Sequence, residues 1–237
     1  ISKYGGTISG GPNFGYDLCV RKVTDEQRDQ LDLSTWNLAY NGAEPVNPET
    51  IKRFTEKFSS AGFNEEDFNP CYGLAEGTLF VSSNYKNSPI VVKTVDGASL
   101  EQNKIVDANP DDEGSRNLVS CGVPWQNQTI KIVNPEELTP CEDGQVGEIW
   151  VSGESIAKGY WGREEVTARI FHASMAKRNG QTSLRTGDLG FISEGQLYVT
   201  GRLKDLIIIR GRNHYPQDIE YTVETSHEAL EEGACAA

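Results

Sequence analysis

The stretch from Leu184 to Glu220, LRTGDLGFISEGQLYVTGRLKDLIIIRGRNHYPQDIE, constrains the fold more than any other. Two glycine-punctuated turns, RTGD at 185–188 and TGRLKD at 200–205, bracket a short hairpin. An apolar strand from Leu206 to Ile209 follows, and a turn closed by Pro216 opens a helix. No other part of the chain packs so many residues of fixed conformational role into so few positions.

Upstream the pattern alternates. Ile8–Asn13 (ISGGPN) reads as a glycine-proline turn after a short apolar strand, and Phe14–Val23 as a helical face. Thr24 or Asp25 caps a second short helix running to Leu31. Trp36–Tyr40 is a compact strand ending on Asn41-Gly42. Pro48-Glu49 opens an amphipathic helix through Ser59, with Ile51, Phe54 and Phe58 on one face and Gly62 ending it. Phe68–Cys71 is extended, and Tyr72-Gly73 turns directly into Leu74-Ala75-Glu76. Beyond Phe80, strand-sized runs follow at Val91-Val92, Ile105-Val106, Val119–Gly122, Thr129–Val133, Glu148–Ser152, Gly190–Ser193 and Leu197–Thr200. One helix, Glu164–Phe171, interrupts them, and Asn109–Asn117 reads as a solvated loop. The expected class is α/β, with an α/β layer beside a small distorted β-barrel or curled sheet. The expected division is an α/β part at 1–118, a barrel-like part at 119–201 and a hinge with the start of a second domain at 202–237.

With 237 residues, 37% of them hydrophobic and 24% charged, the chain can bury a substantial core. A net charge of −13 argues against nucleic acid or an anionic membrane as the main partner, although a local pocket can still take a nucleotide. Cys19, Cys71, Cys121, Cys141 and Cys235 are scattered, form no C-x-x-C, and lie far from His172, His214 and His227 in any zinc-like spacing. No apolar run spans a bilayer and no signal peptide opens the sequence, so the reading is cytoplasmic, without stable membrane insertion. Both ends read as cut, which makes a piece of a longer protein the expectation.

Five phrases carry candidate chemistry. Gly42-Ala43-Glu44-Pro45 lets backbone approach a flat ligand closely, or merely connects a strand to a helix. In Tyr72-Gly73-Leu74-Ala75-Glu76, the tyrosine suits stacking on a base and Glu76 suits a metal among phosphates; a core aromatic and a solvated acid are the plain alternatives. Gly147–Gly153, continuing to Lys158-Gly159-Tyr160-Trp161, reads as framework without chemistry. Asp188, in RTGD, can accept hydrogen bonds from the two vicinal hydroxyls of a ribose, or can bond its own turn. Arg202 suits ribose or phosphate oxygens, and Lys204-Asp205 falls at a junction between two structural units. Singly none is specific; their joint order and spacing is.

Together YGLAE, GEIWVSG, LRTGDLG and GRLKDLIIIRG resemble the adenylate-forming superfamily of acyl-CoA synthetases, peptide-synthetase adenylation domains and luciferases. SGGPNFGYDLCVRK at 9–22, NGAEPV at 41–46 and TGRLKDLIIIRGRNHYPQDIE at 200–220 look like the fatty acyl-AMP ligases within it. The resemblance covers essentially the whole chain. It implies ATP and Mg²⁺ as cofactors, a fatty acid as substrate, and acyl transfer to an acyl carrier protein of a polyketide or nonribosomal peptide assembly line. It implies that Gly42, Ala43, Glu44 and Pro45 frame an adenine stacked on Tyr72, with Gly73, Leu74 and Ala75 alongside. Glu76 would bind Mg²⁺, Asp188 and Arg202 would hold the ribose, and Lys204 would be the hinge of a small C-terminal domain. Ser9, Gly10, Gly11 and Asn13 would border the acyl pocket. An insertion characteristic of the family, restraining that domain, would fall within about 88–117. The phosphate-cradling loop and a catalytic lysine of the second domain would lie outside residues 1–237, so the chain alone is expected to adenylate little or nothing. The alternatives are a medium- or long-chain acyl-CoA ligase and, in another class, a non-catalytic module binding nucleotide or carrier protein.

Overall fold

The computed structural model describes residues 1–176, 182–224, 226–227, 229–230 and 235–237. Its first part is built from strands separated by helices, and helical crossovers force neighbouring strands to run parallel. Strand β1 (Ile8–Gly11), helices α1 (Asn13–Lys22) and α2 (Asp25–Arg28), strand β2 (Leu38–Asn41), helix α3 (Pro48–Phe58) and strand β3 (Phe68–Leu74) follow in order. β1 pairs parallel with β2 (Ile8 opposite Leu38), and β2 with β3 (Ala39 opposite Phe68). The expected turn at ISGGPN is therefore strand as far as Gly11. Gly10 permits it, because a Cβ there would stand 2.0 Å from the Tyr40 carbonyl oxygen.

Helix α3 begins as its sequence dictates, with Asn47 Oδ1 accepting the Glu49 amide at 2.9 Å and Pro48 in its first turn. Its buried side packs on the sheet through Thr50, Ile51, Phe54 and Phe58. Phe54 meets Tyr16, Trp36, Phe58, Phe63 and Phe68 with ring centroids 4.5 to 6.0 Å apart, mostly edge to face. Asp17 of α1 ties the two helices together, accepting from Thr50 Oγ1 at 2.8 Å and pairing with Arg53 at 2.9 Å. Thr24 and Gln27 form a reciprocal capping box on α2, which stops at Arg28, short of the expected Leu31.

Strand β3 does not turn at Tyr72 as expected; it continues to Leu74 and pairs antiparallel with β4 (Leu79–Ser83). After β5 (Val92–Asp96), α4 (Gly97–Leu100) and β6 (Ser115–Val119) comes β7 (Val123–Pro124), which completes a five-stranded sheet of order β1-β2-β3-β4-β7. β5 and β6 form their own antiparallel ladder, Val92 opposite Val119 and Asp96 opposite Ser115. Ser115–Asn117, expected in a loop, thus belongs to a strand. Ile105-Val106, expected as a strand, lies between two isolated bridges, Lys104 with Gln145 and Val95 with Asp107.

Strands β8 (Thr129–Val133) and β9 (Gly147–Ser152), helix α5 (Glu164–Phe171), and strands β10 (Leu184–Ser193) and β11 (Gln196–Arg202) supply a second antiparallel sheet of order β11-β10-β9-β8. It is an open sheet, not a closed barrel. Main-chain bonds from Cys121 N to Leu197 O (2.7 Å) and from Leu197 N to Gly122 O (2.8 Å) stitch it to the segment entering β7.

After Lys204 the chain forms a hairpin of β12 (Ile207–Ile209) and β13 (Arg212–His214), then helix α6 (Pro216–Glu224). Arg210 (φ 53°) and Gly211 (φ 77°) are both left-handed, as the two central residues of a type I′ hairpin turn must be. β13 escapes a hydrophobicity reading because Arg-Asn-His carries no apolar alternation. Tyr215 is buried in a second core with Val95, Leu100, Val146, Leu189, Phe191 and Tyr198. Among the described residues no helix is long and apolar enough to cross a membrane.

Candidate functional site

The centre of the site is the Asp188 carboxylate, only 8% exposed. The Tyr72 hydroxyl donates to its Oδ2 at 2.7 Å, and Arg202 Nε donates to Oδ1 at 3.0 Å. Three distant segments converge here because β10 and β11 pair Asp188 directly with Arg202, while Tyr72 arrives on β3 of the other sheet. Burial, with the Asp188 charge beside it, pushes the Tyr72 phenol well above its ordinary range, so the hydroxyl remains a donor. The hydrogen bond to Asp188 raises the Arg202 guanidinium further.

A cavity of about 350 Å³ opens against this trio. Ala43, Glu44, Pro45, Tyr72, Gly73, Asp188 and Arg202 all border it, so residues from four of the five candidate phrases meet in one place. Gly42 stands just behind: a Cβ there would lie 2.7 Å from the Cys71 carbonyl oxygen, so glycine lets β2 and β3 converge at the rim. Ala43 adopts φ 77°, a left-handed conformation that a non-glycine residue holds only when its surroundings enforce it. Asn13 supplies that enforcement. Its Oδ1 accepts from Asn41 Nδ2 (3.2 Å) and the Asn47 amide (3.0 Å), and its Nδ2 donates to the Pro45 carbonyl (2.9 Å). Asn13 thus clamps the 41–47 loop, while Ser9, Gly10 and Gly11 lie in β1 and do not border the cavity.

Leu74, Ala75 and Glu76 also lie outside that cavity, where β3 ends in a tight 3₁₀ turn at Ala75–Gly77. Glu76 Oε1 accepts from the Tyr160 hydroxyl at 2.6 Å, which pushes that phenol up to about 12. Among the described residues no group of three or more His, Cys, Asp or Glu side chains could hold a metal ion. A lone, half-exposed carboxylate nevertheless fits Mg²⁺ shared with substrate phosphates, since that ion takes one or two protein carboxylates and keeps waters. Lys204 is exposed in the turn at 203–205, which is fastened at both ends: Leu203 N bonds Gly187 O (2.8 Å) and Asp205 N bonds Arg202 O (3.1 Å).

Several contributors were not legible as such. Cys71 and Cys121 border the cavity, and burial pushes the Cys71 thiol up to about 11, leaving a neutral, weakly polar wall. Gln217 and Glu220 of α6, beyond Lys204, border it as well, and Gln217 Nε2 donates to Thr200 O at 2.7 Å. The GEIW strand, expected to be framework, holds a buried acid: Glu148 is 2% exposed and bonds Arg185, Trp150 and Gly187 beneath the RTGD bend. An acid between two glycines on an otherwise apolar strand was the available signal.

A buried carboxylate held by a tyrosine and an arginine stands beside a glycine-lined cavity, and the chain belongs to the AMP-binding enzyme family, whose model matches residues 1–161. Its relatives narrow the class. Over its whole length it is 50% identical to the medium-chain-fatty-acid–[acyl-carrier-protein] ligase JamA of Moorena producens, covering 40% of that protein. It is 46% identical to the corresponding ligase TtuA of Teredinibacter turnerae, covering 38% of it. Among solved structures, a fatty acyl-adenylate ligase from the E. coli and L. pneumophila studies matches with a TM-score of 0.90 at 42% identity, over all of this chain and 42% of the other. The L. pneumophila fatty acyl-adenylate ligase, solved with acyl adenylate and pyrophosphate, matches at 0.83 and 48%, over all of this chain and 41% of the other. The chain therefore spans about 40% of the length of the relatives it matches.

Proposed function

We propose that this chain carries the nucleotide site and the hinge of an ATP-dependent fatty acyl-AMP ligase acting in the cytoplasm. A fatty-acid carboxylate attacks the α-phosphorus of ATP; its oxygen forms the new P–O bond as the bond to the β-phosphate breaks, giving acyl-adenylate and pyrophosphate. The phosphopantetheine thiol of an acyl carrier protein then attacks the acyl carbonyl and AMP leaves. The Asp188–Tyr72–Arg202 constellation carries this reading, since a fixed, twice-anchored carboxylate at a cavity rim matches the two hydroxyls of a ribose.

In this assignment Ala43–Pro45 and Tyr72 frame the adenine, with Gly42 and Gly73 letting the backbone close on it. Asp188 and Arg202 take the ribose, and Glu76 is the protein ligand of Mg²⁺, whose charge offsets that of the phosphates. Ser9–Asn13 borders the acyl end. Lys204 is the pivot between half-reactions, its neighbours on both sides fixed by main-chain bonds and its own side chain exposed. Transfer to a carrier protein instead of coenzyme A is favoured by the segment within 88–117, which holds the residues beyond the pivot. Asn213 N bonds Glu101 O (2.9 Å), Asn213 Nδ2 bonds Asn103 Oδ1 (2.9 Å) and Arg116 pairs with Asp218 (3.6 Å).

The deciding measurement uses the complete protein encoded by the reading frame that contains this chain. Fatty-acid-dependent exchange of pyrophosphate into ATP is expected, with acyl product appearing on carrier protein and not on coenzyme A. Product on coenzyme A alone would move the assignment to an acyl-CoA ligase. Nucleotide binding without any exchange would leave a binding module.

A further inference from the structure

We infer that Glu148 is a positioning residue for the nucleotide, setting the bend that presents Asp188 to the ribose; the inference rests on the reading of Asp188 given above. Glu148 and Asp188 are the two carboxylates buried among the described residues, and they stand on adjacent strands one register step apart, Glu148 opposite Leu189. Between Arg185 and Leu189 the pairing of β10 with β9 slips, so residues 186–188 bow out of the ladder. Gly187 takes φ 75° at the apex.

Glu148 fills the gap this bow leaves. Its Oε2 accepts from Arg185 Nε (2.9 Å), Arg185 Nη2 (2.8 Å) and Trp150 Nε1 (2.9 Å). Its Oε1 accepts the Gly187 amide at 3.2 Å, a donor the broken ladder no longer employs. The Arg185 guanidinium lies over the Trp150 ring, 5.5 Å from its centroid, and Thr186 Oγ1 closes the bend by donating to Ile149 O (2.7 Å) and accepting from Asp188 N (3.1 Å). Four side-chain and main-chain donors thus converge on one acid, and the bend they define ends on Asp188.

A buried ion pair is a poor device for stability alone, because desolvating both charges offsets most of their attraction. An apolar residue on β9 would complete the sheet. What only an acid supplies is two acceptor oxygens facing several donors at once, and hence one geometry for residues 185–188. Glutamine offers a single acceptor oxygen and presents its amide hydrogens to the Arg185 or Gly187 N–H groups.

The test separates grip on the ribose from stability by comparing ATP with 2′,3′-dideoxy-ATP, which lacks both hydroxyls. In the complete wild-type protein ATP binds the tighter, and Asp188→Ala abolishes the preference. In Glu148→Gln the preference is expected to shrink by about tenfold or more, through weaker ATP binding, with dideoxy-ATP affinity unchanged. Arg185→Lys keeps the cation but loses the two-pronged contact, and is the milder variant should Glu148→Gln not fold; its preference shrinks as well. A folded Glu148→Gln or Arg185→Lys protein with a lower melting temperature but an unchanged preference would overturn the inference. A wild-type protein that binds both nucleotides equally would overturn the ribose reading beneath it.

Discussion

Tyr72 serves two surfaces of one site: its ring borders the cavity and its hydroxyl donates to Asp188. Tyr72→Phe separates them, keeping the ring and leaving the buried carboxylate with Arg202 as its remaining side-chain donor. An unmade hydrogen bond to a buried acid costs about 1–3 kcal/mol, so the ATP dissociation constant is expected to rise about tenfold. Isothermal titration of the complete protein measures it, and a value within about twofold of wild type would show that the hydroxyl does not organise Asp188 for the ribose. Tyr72 was a candidate for stacking on a base, Asp188 for ribose hydroxyls and Arg202 for ribose or phosphate oxygens; none was specific singly, and their joint order and spacing singled them out. Asn13 was expected at the border of the acyl pocket, and its hold on the neighbouring loop was not read. Its three bonds to the 41–47 loop depend on β1 and β2 lying side by side, which no local pattern states.

Among the elements, two glycines show how differently the same residue is required. Gly73 has no unusual φ, yet a Cβ there would stand 1.6 Å from the Leu79 carbonyl oxygen. Gly187 has open space around it but sits at φ 75°. Gly73→Ala is expected to break the β3–β4 pairing and yield aggregated protein. Gly187→Ala is expected to fold, losing about 1–2 kcal/mol for the left-handed backbone and weakening ATP binding with it. Circular dichroism and thermal melting distinguish them; a soluble, cooperatively melting Gly73→Ala protein would refute the steric account. Helices α1, α3 and α5 were legible because a 3.6-residue period is local, and the start of α3 also because Asn47 and Pro48 mark it; the four-residue α4 was not read. Strand extents were less so. β3 runs through Tyr72-Gly73 because β4 accepts it as a partner, and β10 runs from Leu184, straight through the RTGD bend, because Glu148 replaces the lost ladder bond. The second sheet was expected as a small barrel or a curled sheet, because short strands with glycine turns look alike in both; it is open.

At the scale of the whole molecule, the segment beyond Lys204 is docked, not trailing. Tyr215 enters the core formed by β5, α4, β10 and β11, and Gly201 passes beneath its ring, where a Cβ would lie 2.8 Å from Tyr215 Cδ1. Tyr215→Ala removes the largest apolar anchor of that docking, at a cost of about 3 kcal/mol. Amides at 207–224 are then expected to exchange with deuterium about 100-fold faster while those of β3 stay protected, which hydrogen-exchange mass spectrometry resolves by peptide. Equal acceleration everywhere, or none, would mean that Tyr215 does not hold the segment. The first sheet has a different kind of boundary. β1 ends the order β1-β2-β3-β4-β7, and its far side finds no strand among the described residues. Ile8, 64% exposed, stands on that border. A ladder has no last rung of its own: the amides and carbonyls along Ile8–Gly11 offer the same spacing to any extended segment laid beside them. The width of this layer is therefore set by what is supplied to its margin.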